Sequence, residues 1–457
     1  MNRQPITANA PRRALLLLAA LLLLAAPAAL AQQVRLDVAL SNGKVLAGQK
    51  QTAYLRVAMT GFEMSSQGRR TPANVCIVLD RSGSMQGEKI ARAKEAALMV
   101  VDRLNPEDII SVVAYDSNVT VLVPATKAFD KESIRSAIRG LEANTSTALF
   151  AGVSVGAAEV RKFLGKDRVN RIILLSDGQA NVGPSAPGAL GELGAALIRE
   201  GISVTTIGLG LDYNEDLMTA LAQKSDGNHM FAEKASDLTS AFESEFGSVA
   251  AVVAQEVRTN IRCADGVRPV RAIGREADIA GQNVTFYLNQ LYSKQERYLV
   301  LEVELPPGTA GTSREVASVD VSYSNMASKS PDHLAGSTMI AYTASPQEVE
   351  TSVNAAVMTA AVYQIGAEQN VLAMRLRDQG KVEEGVKVLK KNASWIVDNA
   401  TKLNDDKLNS YGVSNSSTAD SWTAKPGEAQ QPYTEQRKQM REEQYSIQNN
   451  LKVLIKK

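Results

Sequence analysis

The feature that most constrains this chain is a stretch in which short, unbroken apolar segments alternate with helical patterns. Unbroken apolar segments of this length are typical of strands buried on both faces. Strands that alternate with helices predict an α/β fold with a doubly wound, mostly parallel, Rossmann-like sheet. We place this domain at residues 72–249, and its clearest predicted strands are residues 75–79, 109–115, 172–175 and 204–208.

A different pattern flanks this stretch on both sides. Apolar and polar residues alternate with a period of two before it, with Asn42-Gly43 between two such runs, and again after it. That period predicts antiparallel strands, and two strands cannot form a stable sheet alone. We therefore predict one β-sandwich interrupted by the α/β insertion, with its first strands in residues 32–71 and the remainder in residues 250–345.

The C-terminal part has a third pattern. Residues 346–408 carry apolar residues at helical spacing on both sides of Gly380, which predicts a helical hairpin. Residues 409–433 are rich in Ser, Asn, Thr and Gln, so we expect a flexible linker there. Residues 434–457 space a few apolar side chains along a charged segment, which predicts an amphipathic helix that docks onto the body of the protein.

The first 31 residues have the pattern of an export signal. Arg3, Arg12 and Arg13 precede a run of Leu and Ala, which is followed by the small-x-small site Ala29-Leu30-Ala31. The apolar run is too short for a comfortable membrane span. We favour a cleaved signal peptide over an uncleaved anchor, and we expect the mature protein to be exported, periplasmic or extracellular, in a bacterial envelope.

Composition excludes several classes of function. Without its first 31 residues the chain has 47 basic and 49 acidic residues, which gives no basis for a nucleic-acid partner. The chain contains only two Cys and two His, too few for an ordinary zinc centre. We expect Cys76 and Cys263 to be buried free thiols rather than a disulfide.

Polar side chains cluster at the predicted ends of the apolar strands. Asp80, Ser82 and Ser84 follow the first strand, Asp177 follows the strand of residues 172–175, and Thr147 opens a helix. Ligands of open α/β sheets bind at the carboxyl ends of the strands, so these five side chains should converge on one rim.

Two carboxylates and three hydroxyls form an all-oxygen set suited to a hard divalent cation, Mg²⁺ first, with Mn²⁺ or Ca²⁺ also possible. The neutral hydroxyls leave such an ion short of negative charge. A carboxylate from an Asp or Glu of a protein partner would complete its coordination. The five residues therefore predict metal-dependent protein binding, unless Asp80 and Asp177 only cap turns and helices.

The pattern Asp80-x-Ser82-x-Ser84, with Thr147 and Asp177 later, resembles the metal-ion-dependent adhesion site (MIDAS) of the von Willebrand factor type A (VWA) domain. The resemblance covers about residues 72–245, and it implies that these five side chains hold the metal. The family often has Gly two residues before its Thr, where this chain has Thr145, so Thr145 is an alternative ligand. The wider layout is similar to exported bacterial VWA proteins and to inter-alpha-trypsin inhibitor heavy chains.

We weighed two other functions. In one, the protein is a structural component of the envelope whose metal loop is satisfied internally. In the other, Asp80 is the nucleophile of a phosphohydrolase, but that chemistry needs a carboxylate two residues later, where Ser82 stands. No Gly-x-Ser-x-Gly or phosphate-binding loop is present, so we expect a non-enzymatic protein.

Overall fold

Six strands of the inserted segment form one sheet in the computed structural model, which describes residues 33–64, 70–144, 146–423 and 432–451. The strands are β4 (Ala73–Asp80), β5 (Ile109–Tyr115), β6 (Val119–Lys127), β7 (Val169–Ser176), β8 (Ile202–Leu209) and β9 (His229–Ala232). Their order is β6-β5-β4-β7-β8-β9, and only β6 runs antiparallel to its neighbour. The order reverses between β4 and β7, which makes the edge beyond their carboxyl ends the natural ligand site.

Helices cover both faces of this sheet. They are α1 (Glu88–Arg103), α2 (Lys131–Arg139), α3 (Leu149–Arg161), α4 (Pro187–Arg199), α5 (Glu215–Lys224) and α6 (Leu238–Ala250). Successive residues of β4 enter two separate cores. Val75 and Ile77 pack in the core with α1, α2 and α6, whereas Cys76 and Val78 pack in the core with α3, α4 and α5. The predicted doubly wound α/β class is confirmed.

Strands from before and after the insertion form the two sheets of the sandwich. They are β1 (Arg35–Leu40), β2 (Lys44–Leu46), β3 (Gln51–Thr60), β10 (Val252–Cys263), β11 (Arg268–Ile273), β12 (Asp278–Ala280), β13 (Asn283–Tyr292), β14 (Glu296–Leu305), β15 (Ser313–Asn325) and β16 (Ser330–Thr343). One sheet has the order β1-β3-β14-β11 and the other β12-β13-β10-β15-β16-β2. Because β3 pairs with β14, the chain must return to the sandwich after completing the insertion.

A buried ion pair lies where the insertion meets the sandwich. Arg171 of β7 is fully buried and contacts Glu245 of α6, with 3.0 Å between Nη1 and Oε1. The same guanidinium donates to Thr205 Oγ1 at 2.8 Å and to Tyr292 OH of β13 at 2.8 Å. Removing one partner of such a pair leaves an uncompensated charge in the interior, so these contacts hold the two parts in one arrangement.

Helices follow the last sandwich strand. They are α7 (Pro346–Thr351), α8 (Ala355–Asp378), α9 (Val382–Leu403), α10 (Asp406–Thr423) and α11 (Tyr433–Gln448). The predicted hairpin corresponds to α8 and α9, but the expected flexible linker at residues 409–433 is wrong over residues 409–423, which belong to α10. Leu408, Tyr411, Ala419 and Trp422 are buried at helical spacing among Ser, Asn and Thr. Residues 424–431 lie outside the described part.

The helix α11 packs against the insertion through charged groups. Lys438 Nζ lies 2.7 Å from Tyr213 O and 2.6 Å from Glu215 Oε2, and Arg437 pairs with Glu215, Asp216 and Asp378. Over the described ranges, we find no helix with the length and apolar character of a membrane span. The predicted signal peptide, residues 1–31, falls outside those ranges. Cys76 and Cys263 are buried and free.

We expect His229 to make the protein acid-sensitive. Its imidazole is fully buried in β9, with Nδ1 2.9 Å from Thr206 Oγ1, and burial lowers its pKa to about 3, aided by Arg441 and Lys438. From about pH 6.5 downward the unfolded chain binds a proton that the folded chain excludes, so the free energy of unfolding falls with pH. His229→Gln removes this contribution, so its free energy of unfolding should fall by about 2 kcal/mol less than that of wild type between pH 7 and pH 5.

Urea unfolding of both proteins at the two pH values measures the difference. Equal losses in wild type and His229→Gln would show that His229 is not buried in its neutral form.

Candidate metal centre

Asp80 is the last residue of β4, and its carboxylate is completely buried. Oδ1 accepts a hydrogen bond from Ser82 N at 2.8 Å, and Oδ2 accepts one from Ser176 Oγ at 2.8 Å. Burial raises the pKa of Asp80 to about 6; hydrogen bonds from Ser82 and Ser176 oppose the rise, and the charge of Asp177 adds to it. The carboxylate is therefore held in place by neutral donors.

Ser82 and Ser84 lie on the loop that leaves β4. The segment Gly83–Met85 forms one turn of 3-10 helix, after which Gly87, at a φ of 75°, leads into α1. Ser82 Oγ and Ser84 Oγ are 3.0 Å apart. Ser82 is buried whereas Ser84 is exposed, so Ser84 lies at the mouth of the site.

Asp177 directly follows β7 and has no exposed surface. Its Oδ1 accepts a hydrogen bond from Ser84 Oγ at 2.7 Å, which joins the loops after β4 and β7. Its Oδ2 accepts one from Lys89 Nζ at 2.5 Å. The strand ends thus bring Asp80, Ser82, Ser84 and Asp177 together at the point where strand order reverses.

Thr147 reaches the same rim from the loop before α3. A Cβ added at Gly178 would lie 3.5 Å from Ser84 Oγ and 3.7 Å from Thr147 Oγ1, so both hydroxyls face the residue after Asp177. Asn181 fixes the threonine: its Oδ1 accepts from Thr147 N at 2.8 Å, and its backbone N donates to Thr147 O at 3.2 Å. The alternative ligand, Thr145, lies outside the described residues.

Asp116 also supports the rim, although its position did not enter the sequence prediction. It follows β5, and its Oδ2 lies 2.9 Å from Asn144 Nδ2 and 3.1 Å from Arg81 Nε. Its carbonyl accepts from Ala148 N at 2.7 Å. Asp116 therefore connects the loop of Arg81 to the loop of Thr147. The sequence signal that could have identified Asp116 is its position directly after a predicted buried strand.

The residues present fit a hard divalent cation. The donor set is two carboxylates and three hydroxyls, all oxygen, and burial raises the pKa of Asp80. Within the described ranges, no three His, Cys, Asp or Glu side chains are grouped so that they could hold a metal. A cation at this rim would therefore depend on the hydroxyls and on a ligand from outside the chain.

Asp80→Asn is expected to abolish Mg²⁺ and Mn²⁺ binding and yet stabilise the metal-free protein. The amide oxygen can still accept from Ser82 N, and the amide nitrogen donates to Ser176 Oγ instead of accepting from it, while the buried charge is removed. From the pKa of about 6, we expect a gain of at most about 3 kcal/mol at pH 7 in the free energy of unfolding. Isothermal titration with Mn²⁺ and urea unfolding in EDTA measure the two effects.

Asp116→Asn is the matched control, because it removes an equally buried carboxylate whose charge is paired with Arg81. This variant should be destabilised. If Asp80→Asn were destabilised to the same degree, or still bound Mn²⁺, Asp80 would be a structural residue and not a metal ligand.

Known proteins resemble this chain in sequence. A family model described as the von Willebrand factor type A domain matches residues 74–244. An uncharacterized protein of Synechocystis is 30% identical over 308 residues, which are 65% of this chain and 72% of that protein. Inter-alpha-trypsin inhibitor heavy chain H3 of Rattus norvegicus is 29% identical over 172 residues, which are 36% of this chain but only 19% of the heavy chain.

The likeness of fold extends beyond the inserted segment. The solved structure of a von Willebrand factor type A protein from Catenulispora acidiphila superimposes with a TM-score of 0.68 at 16% identity. The match covers 83% of this chain and 90% of the other, so it includes much of the sandwich and of the C-terminal helices as well as the parallel sheet.

Proposed function

Because the chain belongs to the von Willebrand factor type A domain family, we propose that its rim binds a divalent cation and, through it, an acidic side chain of a protein partner. The family generally mediates metal-dependent protein interactions. The observation that carries the proposal is the meeting of Asp80 and Asp177, both fully buried, with three hydroxyls at one strand-end rim.

We assign Mg²⁺ to the rim first, with Mn²⁺ and Ca²⁺ as alternatives. Asp80, Ser82, Ser84, Thr147 and Asp177 are the residues that would hold it, and a bound cation would supply the positive charge that attracts a carboxylate. The chain's own part is to keep these oxygens in place. Ser176 and Ser82 orient Asp80, while Asn181 and Asp116 fix the loop of Thr147.

The partner would approach from the side of Ser84, which is exposed. Two neighbouring loops border this side: Gln179 Nε2 donates to Asp212 O at 2.6 Å, and the loops present the partly exposed apolar side chains of Val182 and Leu211. This border supports contact with a protein surface, in which an Asp or Glu is flanked by apolar groups. No reaction is proposed. The start of the sequence, in which three Arg residues precede an apolar run, supports export to the periplasm or the cell exterior.

One observation favours a second candidate function. Lys89 Nζ already lies 2.5 Å from Asp177, so part of the negative charge at the rim is neutralised within the chain. This contact supports an envelope protein whose metal loop is satisfied internally and has only a structural role. The two candidates differ in whether an outside carboxylate is bound.

We expect the immobilised mature protein, residues 32–457, to retain a partner from envelope extract in Mg²⁺ and to release it in EDTA. Asp80→Asn should retain none of it, since the cation is lost. Asp102→Asn is the control, because it removes an exposed carboxylate on α1 that pairs, within the described ranges, only with Arg135. Crosslinking followed by mass spectrometry measures the retained partner and the residues that it touches.

Retention that survives both EDTA and Asp80→Asn would contradict the proposal. Tight Mn²⁺ binding without any chelator-sensitive partner would instead support the structural role.

A further inference from the structure

Lys89 is a charged residue of the rim that the metal-binding pattern does not include. Its Nζ lies 2.5 Å from Asp177 Oδ2, while the other carboxylate oxygen is occupied by Ser84. The Lys89 side chain is 31% exposed and Asp177 is not exposed at all. The ammonium therefore reaches from the protein surface into the buried part of the site.

The position of Lys89 in its helix makes this contact informative. Lys89 is the second residue of α1, and the amino-terminal turn of a helix carries a partial positive charge that disfavours a cation. The helix thus gains nothing electrostatically from a lysine here. Gly210, on the loop after β8, lies near the ammonium: a Cβ there would be 4.0 Å from Lys89 Nζ. The stabilising partner of Lys89 is Asp177.

The charges at the rim add up differently with and without a divalent ion. Asp80, Asp177 and Lys89 together carry a formal charge of −1 when ionised. A divalent cation changes that sum to +1, and one carboxylate from a partner would bring it to zero. Without Lys89, the loaded rim would already be neutral before a partner arrived.

We propose that Lys89 is a tethered cation of this site that weakens the binding of the divalent ion and strengthens the binding of an outside carboxylate. It opposes the divalent ion, because like charges repel at short range and Asp177 is shared. It favours an outside carboxylate at the loaded rim, because it leaves that rim with one positive charge. The inference rests on the proposed function and names the residue that gives the metal-loaded rim its net positive charge; with the metal absent, the rim carries −1 and repels a carboxylate.

The test uses the mature protein with Mn²⁺ and acetate as probes. Isothermal titration measures the Mn²⁺ affinity of wild type and of Lys89→Met, Lys89→Arg and Lys94→Met. Lys94 is the matched control, since it lies on the same helix but contacts Arg139 O, away from the rim. Acetate is then titrated into the Mn²⁺-loaded proteins, and the change in water-proton relaxation reports acetate at the bound ion.

We expect Lys89→Met to bind Mn²⁺ about tenfold more tightly and to bind acetate about tenfold more weakly than wild type. Lys89→Arg keeps the charge and should resemble wild type in both measurements, as should Lys94→Met. Circular dichroism and thermal unfolding show whether each variant is folded.

Two kinds of result overturn the inference. If wild type binds Mn²⁺ and acetate but Lys89→Met matches it, or changes both affinities in the same direction, Lys89 is not a tethered cation of the site. If wild type binds no Mn²⁺ at all, the proposed function fails with it. If Lys89→Met does not fold, the comparison of wild type with Lys89→Arg still tests the inference, because the two proteins should bind Mn²⁺ and acetate with equal affinity. A loss of Mn²⁺ binding in Lys89→Arg contradicts a role based on charge.

Discussion

Two carboxylates, Asp80 and Asp177, end neighbouring parallel strands without any contact with solvent, and their desolvation is the constraint around which the rest of the rim is arranged. The interior must supply donors for such groups. It does so with the hydroxyls of Ser176 and Ser84, the backbone of Ser82 and the ammonium of Lys89. The doubly wound order makes this possible, because it brings β4 and β7 side by side at the centre of the sheet.

Neutral donors orient a carboxylate, but they do not cancel its charge. Burial raises the pKa of Asp80, and the hydrogen bonds from Ser82 and Ser176 only partly oppose the rise. Asp116, which is equally buried at the next strand end, is paired with Arg81. We propose Asp80 as a metal ligand, whereas Asp116 connects two loops of the rim.

The strand ends and the meeting of the five proposed ligands at one edge of the sheet could be predicted because unbroken apolar runs mark buried parallel strands, and Asp or Ser directly after such a run must lie at the sheet edge. The roles of Lys89 and Asn181 could not be predicted, since their contacts join segments that are far apart in sequence. The linker prediction failed at α10 for another reason: a few residues, such as Leu408 and Trp422, bury one face of a helix whose composition is otherwise that of a loop.

The buried pair of Arg171 and Glu245 lies at the junction between the inserted domain and the sandwich. Its guanidinium touches the central sheet, the last helix of the insertion and Tyr292 of the sandwich, so no hinge can open there without stranding a charge in the interior. Movement of the parallel sheet relative to β13 would have to break the hydrogen bond between Arg171 and Tyr292, so a pull on the rim would reach the sandwich through this contact.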